Sequence, residues 1–135
     1  DSMITQAAAA AGGRTENTAI RFTLIWGNHK DDDESTSDLD SHVLIYDKNK
    51  NYKGRIYYFN PSSHGGMLDV DNTCPKGKTG YYAVCINKAT QYIDKCDVLE
   101  KSLGKSLPRI GVENIYWTKE SLSQLNDGDT LHYIA

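Results

Sequence analysis

The stretch SDLDSHVLIYD, residues 37–47, alternates between polar and apolar side chains in the way a β-strand with one wet face does. Alternate side chains of a strand point to the same side. The side predicted to face a core consists of Leu39, Val43 and Ile45. The opposite side consists of Asp38, Asp40 and His42. The stretch therefore predicts a core strand whose solvent-exposed face carries three ionisable side chains within five residues.

Segments on both sides of this strand carry the same pattern. IRFTLIWG, residues 20–27, places four large apolar side chains on one face. Further strands are predicted from YKGRIYYFN, MLDVDNT, GYYAVCIN, GVENIYW and TLHYIA, residues 52–60, 67–73, 80–87, 111–117 and 130–135. Turn residues, with Asp127-Gly128 as one example, separate these segments. Several short strands joined by turns predict a mainly β protein, a β-sandwich.

Two segments are predicted to lie outside the strands. KATQYIDKCDVLEKSL, residues 88–103, has apolar residues close to helical spacing, so we expect one short amphipathic helix there. Residues 1–19 differ in composition from the rest and are predicted to form a linker or an exposed leader. A helical turn over the alanine run, residues 7–11, would be marginal by itself. Residues 20–135 are then a single domain.

Composition excludes several classes of protein. The net charge is −3 and the basic residues are scattered, so nothing favours binding to nucleic acid. No apolar run approaches the roughly 18 residues of a membrane-spanning helix, so membrane insertion is not expected. The three cysteines cannot all pair with one another, and the count leaves open one disulfide or three reduced thiols. Cys85 and Cys96 are the pair favoured to pack together or to form a disulfide.

Two acidic segments share one pattern. DLDSH contributes Asp38 and Asp40, and LDVDN contributes Asp69 and Asp71; each pair has i, i+2 spacing beside a loop. If the two pairs meet, their mutual repulsion is costly unless a cation lies between them. Oxygen ligands favour a hard cation, so the predicted ion is Ca²⁺. The remaining predicted ligands are Glu113 and Asn72.

Two other interpretations of the same residues stay open. Asp-x-Asp at a strand end also serves as a pair of loop caps that accept backbone N–H bonds. Alternatively, zinc held by His42 and two aspartates with a water would form a hydrolytic site. No second histidine lies at a suitable spacing, and no nucleophile elbow or phosphate-binding loop is present in the sequence.

Five segments, taken in chain order, resemble the YfaP-like, or DLDSH-type, β-sandwich domain of bacterial secreted and cell-surface proteins. They are IRFTLIWG, SDLDSHV, IYYFN, GGMLDVDNT and GVENIYW. The resemblance covers residues 20–75 and 110–118. The matching positions are Trp26, Asp38, Asp40, His42, Gly65, Gly66, Asp69, Asp71, Glu113 and Trp117. The chain departs from the family pattern in an insertion at about 74–110, and in Val112, where the family usually has proline.

The resemblance implies an extracytoplasmic immunoglobulin-like or prealbumin-like module that acts by binding and is not an enzyme. It implies a calcium ion whose open coordination positions take a ligand carboxylate or sugar hydroxyls. The partner would be a peptide or glycan on another protein or cell, and the module would belong to a larger multidomain chain. The location would be extracellular, at the cell surface or in the periplasm.

Side chains beside the acidic residues are the candidates for ligand contact. They are His42 and three tyrosines of the insertion, Tyr81, Tyr82 and Tyr92. The alternative is that these tyrosines only pack the insertion onto the sandwich. A weaker similarity runs to TerD-like calcium-binding stress proteins, which would imply a cytoplasmic protein with reduced thiols. A structural spacer that binds nothing is the remaining alternative.

Overall fold

The computed structural model of the chain describes residues 2–29, 39–71, 84–87, 91–93, 96–105 and 107–135; the side chains of residues 28, 29, 87, 91–93, 96 and 97 lie outside this description. The elements in chain order are α1 (Met3–Ala10), β1 (Thr18–His29), β2 (His42–Tyr46), β3 (Tyr52–Ile56), β4 (Ser62–Ser63), β5 (Gly66–Asp71), β6 (Val84–Asn87), β7 (Gln91–Ile93), α2 (Cys96–Leu103), β8 (Arg109–Thr118), a 3₁₀ helix (Ser121–Gln124) and β9 (Thr130–Ile134). The strands form two antiparallel sheets, so the predicted mainly β fold with a sandwich of sheets is confirmed.

Strand β8 organises the larger sheet. One of its edges pairs with β1, from Thr18↔Thr118 to His29↔Arg109. Its other edge pairs first with β6 and then with β5, so that two short strands share one long partner. Strands β4 and β7 extend this sheet outward from β5 and β6. The smaller sheet has the order β3-β2-β9.

The two faces of β8 have different partners because its side chains alternate. Ile115 and Trp117 face the smaller sheet, where they pack with Val43, Ile45 and Ile56. These five side chains are fully buried, which makes this the core between the sheets. Gly66 is needed there because a Cβ at this position would lie 2.4 Å from the ring of Trp117.

The other face of β8 is covered by the N-terminal helix. Ala7 and Ala8 of α1 are fully buried and pack against Val70 and Val112. The segment predicted to be a linker or an exposed leader therefore contains a helix that packs on the larger sheet. The helix begins at a cap, since Ser2 Oγ accepts a hydrogen bond from Thr5 N at 3.1 Å. Packing onto the sheet supplies the stability that a short alanine helix lacks in isolation.

The segment predicted to be one helix over residues 88–103 contains both a strand and a helix. Gln91–Ile93 form β7 and pair with β6, and only Cys96–Leu103 form α2. The insertion is therefore continuous with the main sheet through the pairing of β6 with β8. Glu100 of α2 forms an ion pair with the buried Arg109 of β8, which attaches the helix to the sheet.

Candidate metal centre

Three carboxylates meet at the end of the sandwich where the two sheets approach each other. Asp40 lies just before β2 of the smaller sheet, Asp71 ends β5, and Glu113 lies in the middle of β8. One oxygen from each of the three can be chosen so that all lie within 4.8 Å of one another. Glu113 is 1% exposed, whereas Asp40 and Asp71 are half-buried. The arrangement can hold a metal ion between the sheets.

A β-bulge in β5 directs Asp71 to this group. Leu68 pairs with Ile115, but Val70 pairs with Asn114, so the register shifts by one residue between them. A bulge of this kind reverses the direction of the side chains that follow it. Asp71 consequently pairs directly with Glu113 on the face toward the smaller sheet.

The same bulge separates Asp69 from the group. Its Oδ1 accepts a hydrogen bond from Asn114 Nδ2 at 3.0 Å, and its Oδ2 accepts one from Arg14 N at 2.7 Å. Asn114 follows Glu113 in β8, so the two side chains point to opposite faces of the sheet. The i, i+2 spacing of Asp69 and Asp71 predicts that they share one face of a strand, and this prediction is wrong. Asp69 attaches the segment after α1 to the outer face of the sheet.

Glu113 accepts one hydrogen bond from the backbone, and it forms a side-chain hydrogen bond with Asp71 only when one of the two carboxyl groups carries a proton. Ser41 N donates to Glu113 Oε1 at 2.6 Å. Ser41 Oγ also lies 2.7 Å from Tyr133 Oη, which connects this contact to β9. No donor in the described part of the chain reaches Oε2, although this atom is buried. A buried carboxylate oxygen without a partner is costly, so Oε2 requires a proton or a cation.

The raised pKa values of Glu113 and Asp40 also indicate a group that favours a proton or a cation. Burial raises the pKa of Glu113 to about 10, and the neighbouring Asp71 and Asp40 add to the shift. Burial also raises the pKa of Asp40, with a further contribution from the charge of Asp71. The charge of His42 acts in the opposite direction on Asp40. Without a cation, burial and the neighbouring carboxylates therefore favour the protonated form of Glu113.

His42, a candidate for zinc or ligand binding, is not one of the side chains that the structure gathers into this group. Its ring stacks on Tyr57 with the centroids 5.3 Å apart and the planes at 22°. Nothing in the described residues joins the imidazole to the acidic group as a further ligand.

Several predicted site residues lie outside the described part of the chain. They are Asp38, Asn72, Tyr81 and Tyr82. Tyr92 lies in β7, and its side chain is also outside the description. These five remain predictions. Of the six predicted metal ligands, the structure brings together Asp40, Asp71 and Glu113.

Two features near the group were not predicted. The hydrogen bond from Ser41 to Glu113 was not predicted, because its donor is a backbone N–H, which no pattern of side chains reveals. The turn Tyr57–Asn60 was included in a strand, although it presents the aromatic side chains of Tyr58 and Phe59 to solvent. The signal was a run of three aromatic residues before the turn residues Asn60 and Pro61.

A separate pocket of about 430 Å³ lies at the other end of β2, lined by Tyr46, Lys48 and His132 among others. It contains none of the three carboxylates. No helix in the described residues is long and apolar enough to cross a membrane. Comparison with protein-family models, curated proteins and solved structures finds no match to this chain. The chemistry of the site therefore has to be argued from its own geometry.

Proposed function

We propose that this protein is a calcium-stabilised binding module in which an ion held by Asp40, Asp71 and Glu113 joins the two sheets. The observation that carries the proposal is the buried Oε2 of Glu113, which has no donor in the described residues and lies beside two further carboxylates. A divalent cation there offsets two of the three negative charges and links strands of both sheets. The fold would then depend on the ion at this end.

The donor set favours calcium over zinc. The group consists only of carboxylate oxygens, which suit a hard cation, whereas zinc sites in proteins usually include histidine or cysteine. His42, the side chain on which a hydrolytic zinc site depends, instead packs against Tyr57. A metallohydrolase is therefore the second candidate, and we propose a binding protein and not an enzyme.

Calcium takes six to eight oxygen ligands, and three carboxylates leave room for others. One oxygen of Glu113 already accepts a hydrogen bond from Ser41 N. A ligand carboxylate or sugar hydroxyls can complete such a shell, so the proposed partner is a peptide or a glycan on another protein or cell. This mode of action agrees with the resemblance to YfaP-like domains of multidomain surface proteins.

The proposed location is extracytoplasmic. Cys85 is disulfide-bonded, and disulfides persist mainly in oxidising compartments. This bond supports a secreted, cell-surface or periplasmic protein of the adhesin type over the cytoplasmic alternative drawn from the TerD-like similarity.

Thermal unfolding tests the metal proposal. The protein is stripped with a chelator and then melted alone, with Ca²⁺, with Mg²⁺ and with Zn²⁺. An ion at a hundred times its dissociation constant adds about 2.7 kcal/mol to the free energy of unfolding, which is several degrees for a domain of this size. We expect the largest rise with Ca²⁺.

The other outcomes separate the alternatives. A rise with Zn²⁺ alone would favour the hydrolase and direct assays to His42. No shift with any of the three ions would contradict both metal functions and leave the structural spacer, in which the aspartates only accept hydrogen bonds.

A further inference from the structure

A tight hairpin turn presents two aromatic side chains to solvent beside the metal centre. Tyr57 N donates to Asn60 O at 3.1 Å, and Asn60 N donates back to Tyr57 O at 3.0 Å. Asn60 Nδ2 also donates to Arg55 O at 2.6 Å. The turn is therefore closed on both sides, and the side chains at its tip, Tyr58 and Phe59, are 44% and 78% exposed.

The exposed rings are held in place by their neighbours. The rings of Tyr58 and Phe59 lie 4.5 Å apart, and the ring of Tyr57 lies 5.2 Å from that of Tyr58. The guanidinium of Arg55 lies 3.8 Å from the centre of the Tyr57 ring. The same ring stacks on that of His42. Because these contacts restrict the rings before a ligand arrives, binding would cost little side-chain entropy.

The turn does not itself call for aromatic residues. Neither Tyr58 nor Phe59 has a positive φ, so most residue types suit the backbone here. An exposed Tyr-Phe pair therefore gives the turn no conformational advantage, and it leaves apolar area in water. Contiguous exposed apolar area is typical of interaction sites, so binding is the function that accounts for these two side chains.

The charges around the rings indicate an uncharged ligand. His42 connects the acidic group with the aromatic turn, because its ring lies 5.3 Å from that of Tyr57 and its charge acts on Asp40. Arg55 places a positive charge against the ring of Tyr57. A polyanion would meet the carboxylates, and a polycation would meet Arg55. A neutral ligand that has both an apolar face and hydroxyl groups avoids both repulsions.

We propose that Tyr58 and Phe59 form a stacking platform for a neutral glycan, whose hydroxyls face the ion held by Asp40, Asp71 and Glu113. One face of a pyranose ring carries mainly C–H bonds and packs on aromatic rings, and its hydroxyls are suitable calcium ligands. The proposal names the ligand class of the binding module, and its hydroxyl contacts rest on the calcium function proposed above.

A membrane surface is a weaker candidate for the same turn. Peripheral membrane binding combines a large apolar area with basic residues. The chain has a net charge of −3, and only Phe59 of the two exposed rings lacks a polar atom. Both observations favour the glycan.

The test is an NMR titration of the full chain in calcium with three neutral probes: cellohexaose, mannohexaose and chitohexaose. The aromatic resonances of Tyr58 and Phe59 are followed and assigned from Tyr58→Ala and Phe59→Ala. At least one hexasaccharide should shift them, and each variant should weaken binding by about tenfold, which is about 1.4 kcal/mol. Tyr52→Ala is the matched control, because this tyrosine is 59% exposed but belongs to a different aromatic contact, with Tyr46.

Calcium-dependent melting of each variant checks that the metal centre is intact. If none of the three sugars shifts the rings, or if Tyr58→Ala and Phe59→Ala bind as the wild type does, the proposal is overturned. Sedimentation with phosphatidylcholine–phosphatidylserine vesicles that depends on Phe59, without sugar binding, would overturn it in favour of a membrane. Sugar binding at the rings without any stabilisation by calcium would contradict the metal function alone, whereas stabilisation by calcium without sugar binding would contradict the glycan platform alone.

Discussion

Asp69 and Asp71 are two residues apart in one strand, yet their carboxylates lie on opposite faces of the sheet. Asp69 accepts hydrogen bonds from Arg14 N and Asn114 Nδ2 on the outer face, and Asp71 pairs with Glu113 on the inner face. The bulge between Leu68 and Val70 produces the difference. Bulges often re-aim one side chain next to a functional site, and this one directs Asp71 to the candidate metal centre.

The two aspartates are therefore expected to respond differently to the same substitution. Asp71→Asn removes a proposed ligand, so calcium should no longer raise the melting temperature. Asp69→Asn loses one accepted hydrogen bond and should lower the free energy of unfolding by about 1–2 kcal/mol, while the rise with calcium stays. Melting curves with calcium and with chelator measure both effects. Equal loss of the calcium response in the two variants would contradict the assignment of Asp71.

Glu113→Gln should have opposite effects with and without the ion. Glutamine imitates the protonated side chain that burial favours, so at pH 8 the metal-free variant should be more stable than the metal-free wild type. In calcium the order should reverse, because the amide is a poor ligand in place of a carboxylate. Urea unfolding at fixed pH gives the four free energies of unfolding. A variant less stable than the wild type in both conditions would show that the buried carboxylate of Glu113 does not destabilise the metal-free protein.

The pH dependence of the metal-free protein follows from the pKa of the same residue. The folded protein keeps the proton of Glu113 up to a pKa of about 10, whereas the unfolded chain releases it near the ordinary glutamate pKa of 4.5. Between these values the folded state binds more protons, so the free energy of unfolding falls as pH rises. The contribution is fully present only below the unfolded pKa.

Measured from pH 5 to pH 8 in chelator, the wild type should therefore lose stability relative to Glu113→Gln. The other titrating groups are the same in both proteins, so the difference between the two curves reports the titration of Glu113. Parallel curves for the two proteins would mean that Glu113 titrates normally.

The disulfide of Cys85 predicts a definite thiol count. The chain has three cysteines, so one disulfide leaves one free thiol. Alkylation of the unfolded protein without reductant should add one group, and alkylation after reduction should add three. Reduction should also lower the free energy of unfolding by about 2–5 kcal/mol. Three alkylated groups without reductant would support the cytoplasmic alternative.

The buried alanines of α1 give a matched pair of variants. Ala8 is fully buried against the larger sheet, and its neighbour Ala9 is exposed. Ala8→Glu forces a charged side chain into a packed contact and should cost more than about 2 kcal/mol. Ala9→Glu should change stability by less than about 0.5 kcal/mol. Similar effects from both variants in urea unfolding would mean that the helix does not pack as described.

The sequence was sufficient for the strands and for part of the acidic group. In residues 42–46 the alternation matches the burial of Val43 and Ile45, whereas in β8 the side chains of both faces are buried. Glu113 was included as a ligand on the basis of its type and position. The direction of Asp71 was also expected, but with Asp69 on the same side. The rule that alternate residues share one face fails at a bulge, because the extra residue leaves no mark in the pattern of apolar residues.

Helices were predicted less well for two physical reasons. The alanine run of α1 has little stability of its own, and its helix depends on a sheet that lies distant in sequence. In residues 88–103, Tyr92 and Ile93 belong to a strand while Leu99 belongs to α2. A strand followed directly by a helix can imitate one continuous helical period, and only pairing with β6 distinguishes the two.

The sharing of β8 between β5 and β6 has a consequence for engineering. The chain leaves β8 opposite Glu113 and returns opposite Ile110, so the two anchor points are about 10 Å apart along one strand. The far edge of β8 remains paired with β1 throughout this interval. Because the entropy of closing a loop grows slowly with its length, we expect this pairing to tolerate inserts of different length between Asp71 and Val84. With the proposed ion bound, the fold would display such an insert next to a metal ion.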